Sequence, residues 1–158
     1  MSFETFFDEH YDAVRRSLAV AFGDPAVAEE LAQDAFTRAL SDWRRVSKMD
    51  RPAGWVYIVA LRAGRRRRRS NEAANPREAI SPDIADTVVG DVTLVSAIAR
   101  LPERQRTALV LRYLADLPVA DVAAAMDCAA GTVKSTLHAA LKRLGAELSE
   151  QEEPDAAR

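Results

Sequence analysis

Arg62 and the unbroken Arg65–Arg69 run are the residues of this chain whose type and spacing most plainly imply chemistry. Six guanidiniums within eight positions repel one another, so a compact fold keeps them only if an anion repays the repulsion. Guanidinium forks match phosphate oxygens two at a time, which makes nucleic acid the natural counterpart. On a helix successive arginines fan out by about 100°, so at most about half the run can face one duplex. Arg62, Arg65, Arg66 and Arg69 share a face and are the candidates. Further basic residues lead up to the run, at Arg38, Arg44, Arg45, Lys48 and Arg51, interleaved with Trp43, Trp55 and Tyr57. Basic grooves with aromatic platforms suit unstacked single strands; Trp55 and Tyr57 fit a hydrophobic core equally well.

Catalytic and metal chemistries find little support. His10 and His138 are the only histidines and lie far apart, and Cys128 is the only cysteine. A Cys/His metal cluster and an internal disulfide are thereby excluded. No nucleophile with a neighbouring base, no phosphate-binding loop and no cofactor motif is present. Cys128 reads as a small buried residue, and the chain as a binding protein that is not an enzyme.

The arginines stand out because the whole chain is acidic, with a formal net charge of −2 over 158 residues and a pI of about 5.7. Charge is distributed in blocks. Residues 1–37 carry net −6, 38–69 net +9, 70–95 net −4, 96–145 net +3 and 146–158 net −4. Solvated helix faces would account for an ordinary block, but +9 over 32 residues points to a polyanion partner, with acidic surfaces left for other contacts. No apolar stretch is long enough for a membrane span. The acidic start "MSFETFFDEHYD" lacks the basic region of a signal peptide, so a cytoplasmic location is expected.

The elements that must position these groups are helical. Phe3, Phe6, Phe7, Tyr11, Val14 and Leu18 recur at three- and four-residue intervals. "GDP" at 23–25 ends that helix and caps the next, which should run to about Arg45 along Val27, Leu31, Ala35, Phe36, Leu40 and Trp43. After the loop "VSKMDRP", Pro52 opens a third helix, apolar all round from Trp55 to Leu61 before it turns into charge. Residues 70–93 hold two prolines, scattered acids and no period, and read as a flexible linker. Fully extended it reaches roughly 80 Å, enough to hold two domains far apart on a large partner. The second domain, 94–148, buries Leu94, Ile98 and Leu101, then Ala108, Leu111 and Leu114. Two more helices follow, one with Val119, Val122, Ala123 and Met126 inward and one with Val133, Leu137, Ala140, Leu141 and Leu144. The break between them at Asp127–Ala130 is short enough for a helix-turn-helix. The acidic tail, 149–158, reads as disordered. The expected fold is therefore all-α, two small helical domains on a flexible linker.

In a helix-turn-helix the second helix enters the major groove. Its candidate contacts are Thr132, Lys134, Ser135, His138 and, further along, Lys142, opposite Val133 and Leu137. His138 is as readily a plain surface residue as a base reader. Arg104, Arg106 and Arg112 on the preceding helix could add phosphate contacts. A helical hairpin that merely packs is the bland alternative for this half.

At these residues the chain resembles a known family. "AEELAQDAFTRAL" resembles the region-two signature of bacterial RNA polymerase sigma factors, commonly AEDLVQEVFLRAW, and "RPAGWVYIVALRAGRRRRR" looks like the helix that follows it. "LPERQRTALVLRYL" and "VADVAAAMDCAAGTVKSTLHAALKRL" resemble region four. Both regions with only a linker between them is the layout of the extracytoplasmic-function (ECF) sigma factors. The resemblance implies that residues 1–69 bind core polymerase and recognise and melt the minus-ten element, and that 94–148 read the minus-thirty-five element and touch the β flap. Glu30, Gln33, Asp34, Phe36 and Arg38 would meet the β′ clamp helices. Arg44, Arg45, Lys48, Arg51, Trp55, Arg62, Arg65, Arg66 and Arg69 would serve promoter DNA, duplex and melted non-template strand. An anti-sigma factor commonly restrains such proteins. Arg62 and Arg66 stand where the family often has Asn and Asp, and Thr136, Ala139 and Leu141 replace arginines of the recognition helix. The first pair weakens the carry-over of minus-ten base identity, and the replacements in the recognition helix imply that a larger share of DNA affinity falls on the arginine run. A helix-turn-helix regulator that does not recruit polymerase is the competing function.

Overall fold

The structure is a computed structural model that describes the backbone of residues 1–72 and 92–156 and the side chains of 1–70 and 93–150. Among the described residues every regular element is helical. Residues 73–91, most of the expected linker, lie outside them.

Helix α1 (Phe3–Phe22) starts where the Ser2 hydroxyl accepts from the Thr5 N–H, and stops at Gly23, whose φ of 72° lets its N–H return to the Ala19 carbonyl. Asp24 caps α2 (Pro25–Ser41) by accepting from the N–H groups of Ala26 and Val27. The helix expected to continue to Arg45 breaks at Asp42 and resumes as the single turn α3 (Trp43–Val46). Helix α4 (Pro52–Glu72) carries the arginines and runs three residues past the expected domain end at 69. It lies so close to α1 and α2 that a Cβ on Gly64 would sit 2.8 Å from Phe22 Cε1 and 2.9 Å from Leu31 Cδ1. Only glycine fits there without moving the core.

The second half comprises α5 (Val92–Ala99), α6 (Glu103–Leu109), a π turn (Val110–Leu114), α7 (Val119–Met126) and α8 (Ala130–Ala156). The expected helix-turn-helix break falls at Asp127–Ala129, with Asp127 left-handed at φ 54°. The π turn is closed by the Ala115 N–H on the Val110 carbonyl, five residues back. One extra residue in a turn rotates everything after it. Leu114, placed inward by a 3.6-residue period, is therefore 40% exposed, and Leu117 fills the core instead. Leu94 and Leu141 are also exposed, with Val95 buried beside the former. The acidic tail expected to be disordered continues α8 as far as Ala156, in keeping with its Ala, Glu and Gln content.

The largest departure from expectation is that the halves pack together. One apolar cluster joins Leu31, Ala35, Val56 and Ala60 of the first half to Leu111, Leu117, Val122 and Met126 of the second. Another sets Val20 and Ala21 of α1 among Val95, Ile98, Leu109 and Ala140. The contact runs chiefly between α4 and α7, with α1 against the π turn, α5 and α6.

Candidate nucleic-acid interface

The charged end of α4 projects from an apolar stem. Val56, Tyr57, Ala60 and Leu61 are buried, and the Tyr57 hydroxyl lies 3.3 Å from the Ser17 hydroxyl inside the core. Burial raises the Tyr57 pKa above the ordinary tyrosine value, an effect the Ser17 hydrogen bond partly opposes. A stem anchored on most sides fixes where each guanidinium emerges.

The arginines divide by helical face. Arg62 Nη2 donates to the Ala124 carbonyl at 3.0 Å, and Arg65 Nη1 to the Met126 carbonyl at 2.8 Å. Both acceptors belong to the last turn of α7, where carbonyls lack partners within their own helix and the macrodipole is negative. Two of the four arginines expected to share a nucleic-acid face thus cap a helix of the second half. Arg69, on that same face, borders the seam, and Arg66 is exposed. Arg67 turns the other way and pairs with Glu30 of α2. Arg68 donates to the Phe22 carbonyl at the end of α1 and pairs with Glu103 of α6 at 2.9 Å.

The basic segment before α4 is open. Arg44, Arg45, Lys48 and Arg51 are exposed, with the Arg45 guanidinium 5.7 Å from the ring centre of half-buried Trp55. Arg51 approaches Asp121 of α7 at 4.0 Å. Trp43 is no free platform, because it packs on Phe3 and Phe6 with ring centroids 5.5 Å and 5.0 Å away. In the second half Thr132, Lys134, Ser135, His138 and Lys142 are all exposed along α8, on the side away from buried Val133 and Leu137. Ser135 spends its hydroxyl proton on the Thr132 carbonyl.

The proposed polymerase-facing residues separate just as clearly. Glu30, Gln33, Asp34 and Arg38 are exposed on the outer side of α2, where i and i+4 positions align. Phe36 is not among them. It is 2% exposed, with Phe6, Phe7 and Tyr11 ring centroids 5.6, 5.2 and 5.4 Å away, so it holds α1 to α2 instead of meeting a partner. Leu40, read as part of the inward stripe, is 54% exposed and lies on the outer side of α2 instead.

Sequence reasoning also misplaced Arg106. Expected to reach phosphate, it is 7% exposed and donates through Nε to the Ala21 carbonyl of α1 at 2.9 Å, and through Nη1 to the Ala99 and Leu101 carbonyls. A signal was present: Arg106 precedes buried Leu109 and Val110 by three and four residues, on the apolar stripe of its helix. Nothing in the pattern could have named Ala21 as its partner.

Comparison with known proteins agrees with this architecture. Residues 6–74 match the family described as Sigma-70 region 2, and residues 92–144 match Sigma-70, region 4. The chain is 30% identical to the RNA polymerase sigma-E factor of Streptomyces coelicolor over 153 residues, 94% of this chain and 86% of that protein. It is 28% identical to the ECF RNA polymerase sigma factor SigL of Mycobacterium tuberculosis, over 91% of this chain and 87% of that one. Among solved structures, the sigma factor RpoE of Bartonella quintana, in complex with the anti-sigma factor NepR, superposes with a TM-score of 0.73 at 20% identity, covering 93% of this chain and 96% of that chain. With both regions present in order on an all-helical fold, the chain belongs to the ECF group of the sigma-70 family of bacterial RNA polymerase sigma factors.

Proposed function

We propose that this chain binds core RNA polymerase, directs it to particular promoters and assists strand separation there, and that it does so by parting its two halves. The observation that carries the reading is the outer face of α2. Glu30, Gln33, Asp34 and Arg38 form a largely acidic face of no use against DNA, and it stands uncovered although the second half packs on the first. Polymerase can therefore meet this face, through its β′ clamp helices, before anything else moves.

The DNA-facing surfaces are not equally ready. Thr132, Lys134, Ser135, His138 and Lys142 of α8 are exposed and can enter a major groove at the minus-thirty-five element while the second half rests as it is. Arg62 and Arg65 each give one N–H to an α7 carbonyl, so they turn fully to promoter phosphates only after α7 leaves α4. Once freed, they extend a basic surface that already includes Arg44, Arg45, Lys48 and Arg51. Extruding a base costs a few kcal/mol, which phosphate contacts along this surface and stacking near Trp55 would offset. The second half, carried to the upstream element, would also meet the β flap. An anti-sigma factor acting on this chain would compete at the outer face of α2.

The test is promoter opening with core polymerase on a genomic fragment library, comparing the wild type with a protein in which Arg65, Arg66 and Arg69 are alanine. Loss of opening and a shallower dependence on salt are expected. Unchanged opening with unchanged salt dependence would exclude the arginine run from the melting step.

A further inference from the structure

We propose that the seam between the halves is a binding site for a short phosphoanhydride chain, inorganic or carried by a nucleoside, and that this ligand holds the protein closed. The inference rests on the reading that the halves must part for promoter opening.

A cavity of about 180 Å³ opens at the seam, well above the ~10–15 Å³ that admits one water. Arg65, Arg68 and Arg69 enter it from α4, and Glu103, Arg104 and Thr107 from α6. Four arginines against one glutamate leave a formal charge of +3 around a concave space. Glu103 is already taken, since its carboxylate lies 2.9 Å from Arg68. Arg69 and Arg104 have no partner among the described residues. Arg65 commits one N–H, to the Met126 carbonyl, and a guanidinium carries five N–H donors. The closed arrangement thus gathers cations from both halves and leaves most of their donors unused.

That geometry selects its ligand by charge and by length. Guanidinium forks bind phosphoryl oxygens in pairs, so each arginine favours phosphate over a smaller or monovalent anion. A chain of phosphoryl groups offers several oxygen pairs at once and so can engage arginines of α4 and Arg104 together, which a single phosphate does with fewer oxygens. A duplex cannot enter, because α6 forms the opposite wall. In the open state the same arginines of α4 are released toward DNA, so the two anions compete through the conformation each requires. A ligand that binds only the closed form shifts the equilibrium by its differential affinity and no more. Thr107 lies beside the arginines as a further polar group, and Glu103 disfavours chains too long or too charged to stay on the arginine side.

The experiment is calorimetric titration of the full chain, without polymerase, with tripolyphosphate, ATP, GTP, orthophosphate and sulfate at one fixed ionic strength. One site for tripolyphosphate, at least about tenfold tighter than for orthophosphate or sulfate, is expected. Arg104→Ala should weaken it about tenfold or more without changing the melting temperature of the unliganded protein, and Arg16→Ala, remote on α1, should leave it intact. Equal affinity for nucleotides identifies an inorganic chain; tighter nucleotide binding identifies a nucleoside polyphosphate. Affinities that depend only on ionic strength, or that ignore Arg104→Ala, overturn the site. Fluorophores at Ser41→Cys and Ser149→Cys in a Cys128→Ser background read closure: tripolyphosphate should raise the closed fraction, and no change overturns the regulatory half. Because polymerase is absent, a failure here is separable from a failure of the sigma-factor reading, which shows only in promoter opening.

Discussion

The outer face of α2 and the arginine face of α4 sit on neighbouring helices of one half, yet they stand in opposite conditions. The first is largely acidic, exposed at Glu30, Gln33, Asp34 and Arg38, and open to a partner. The second is basic, and two of its arginines are occupied by carbonyls at the end of α7. Both faces are legible as charge in the sequence; only their covering distinguishes them. The comparison teaches that a binding surface can be withheld without being buried in the core, when a helix end from the same chain satisfies its donors. It also orders the events, since the uncovered face can act first.

The comparison breaks most severely if α2 is altered. Glu30→Lys with Asp34→Lys should lower association with core polymerase by about 100-fold or more, as like charges brought together at an interface cost several kcal/mol. Both positions are exposed and the change costs only the exposed Glu30–Arg67 pair, so stability should stay within about 1 kcal/mol of wild type; co-sedimentation and thermal melting check the pair of outcomes. The next largest effect comes from the seam. A Cβ on Gly54 would lie 3.4 Å from Leu117 Cδ2, so alanine fits there but Gly54→Leu must push α7 away. Overpacking of about 1–2 kcal/mol should reduce the ratio of closed to open protein about 5–30-fold. Small-angle scattering would show the expansion, and polymerase affinity should not fall.

Removing the donors sharpens the contrast further. Arg62→Ala with Arg65→Ala deletes two guanidinium-to-carbonyl bonds, worth about 1 kcal/mol together after allowance for solvent. The closed population should fall about fivefold while promoter opening also falls, because the lost groups serve both states. Gly54→Leu keeps them, so the two variants should part company in the opening assay. The smallest effect lies in the shared stem. Because burial raises the Tyr57 pKa, the folded state favours the neutral phenol. Its stabilisation is complete below the unfolded tyrosine value near 10 and is lost as pH rises through the folded value. Tyr57→Phe should remove that alkaline decline and leave the melting temperature at pH 7 within a few degrees.

Much of this fold was readable because helical periodicity and caps are local. Gly23, Asp24 and Pro52 mark the helix ends where they fall, and the inward stripes of α7 and α8 match except at Leu141. The misses have physical causes of another kind. Leu114 went astray because a π turn adds a residue that no fixed period contains. Phe36 reads as either a core or a contact residue, because an aromatic at the border of two stripes can face either way; its ring neighbours decide it. The packing of α7 on α4 was invisible because its polar contacts run from arginines to backbone carbonyls, and every residue has a carbonyl. The arginines of the candidate interface could be named from type and spacing, while their present partners could not.

Arg106 gives the seam a particular temper. Its guanidinium is shut in the interior while bonded to Ala21 of the opposite half, and desolvating a charge is expensive even where carbonyls receive it. When the halves part, that group keeps its acceptors at Ala99 and Leu101 and exchanges Ala21 for water. If the halves part as proposed, rehydration of this guanidinium would offset part of the apolar contact that is lost. A latch built around a trapped cation releases more readily than one made wholly of hydrocarbon.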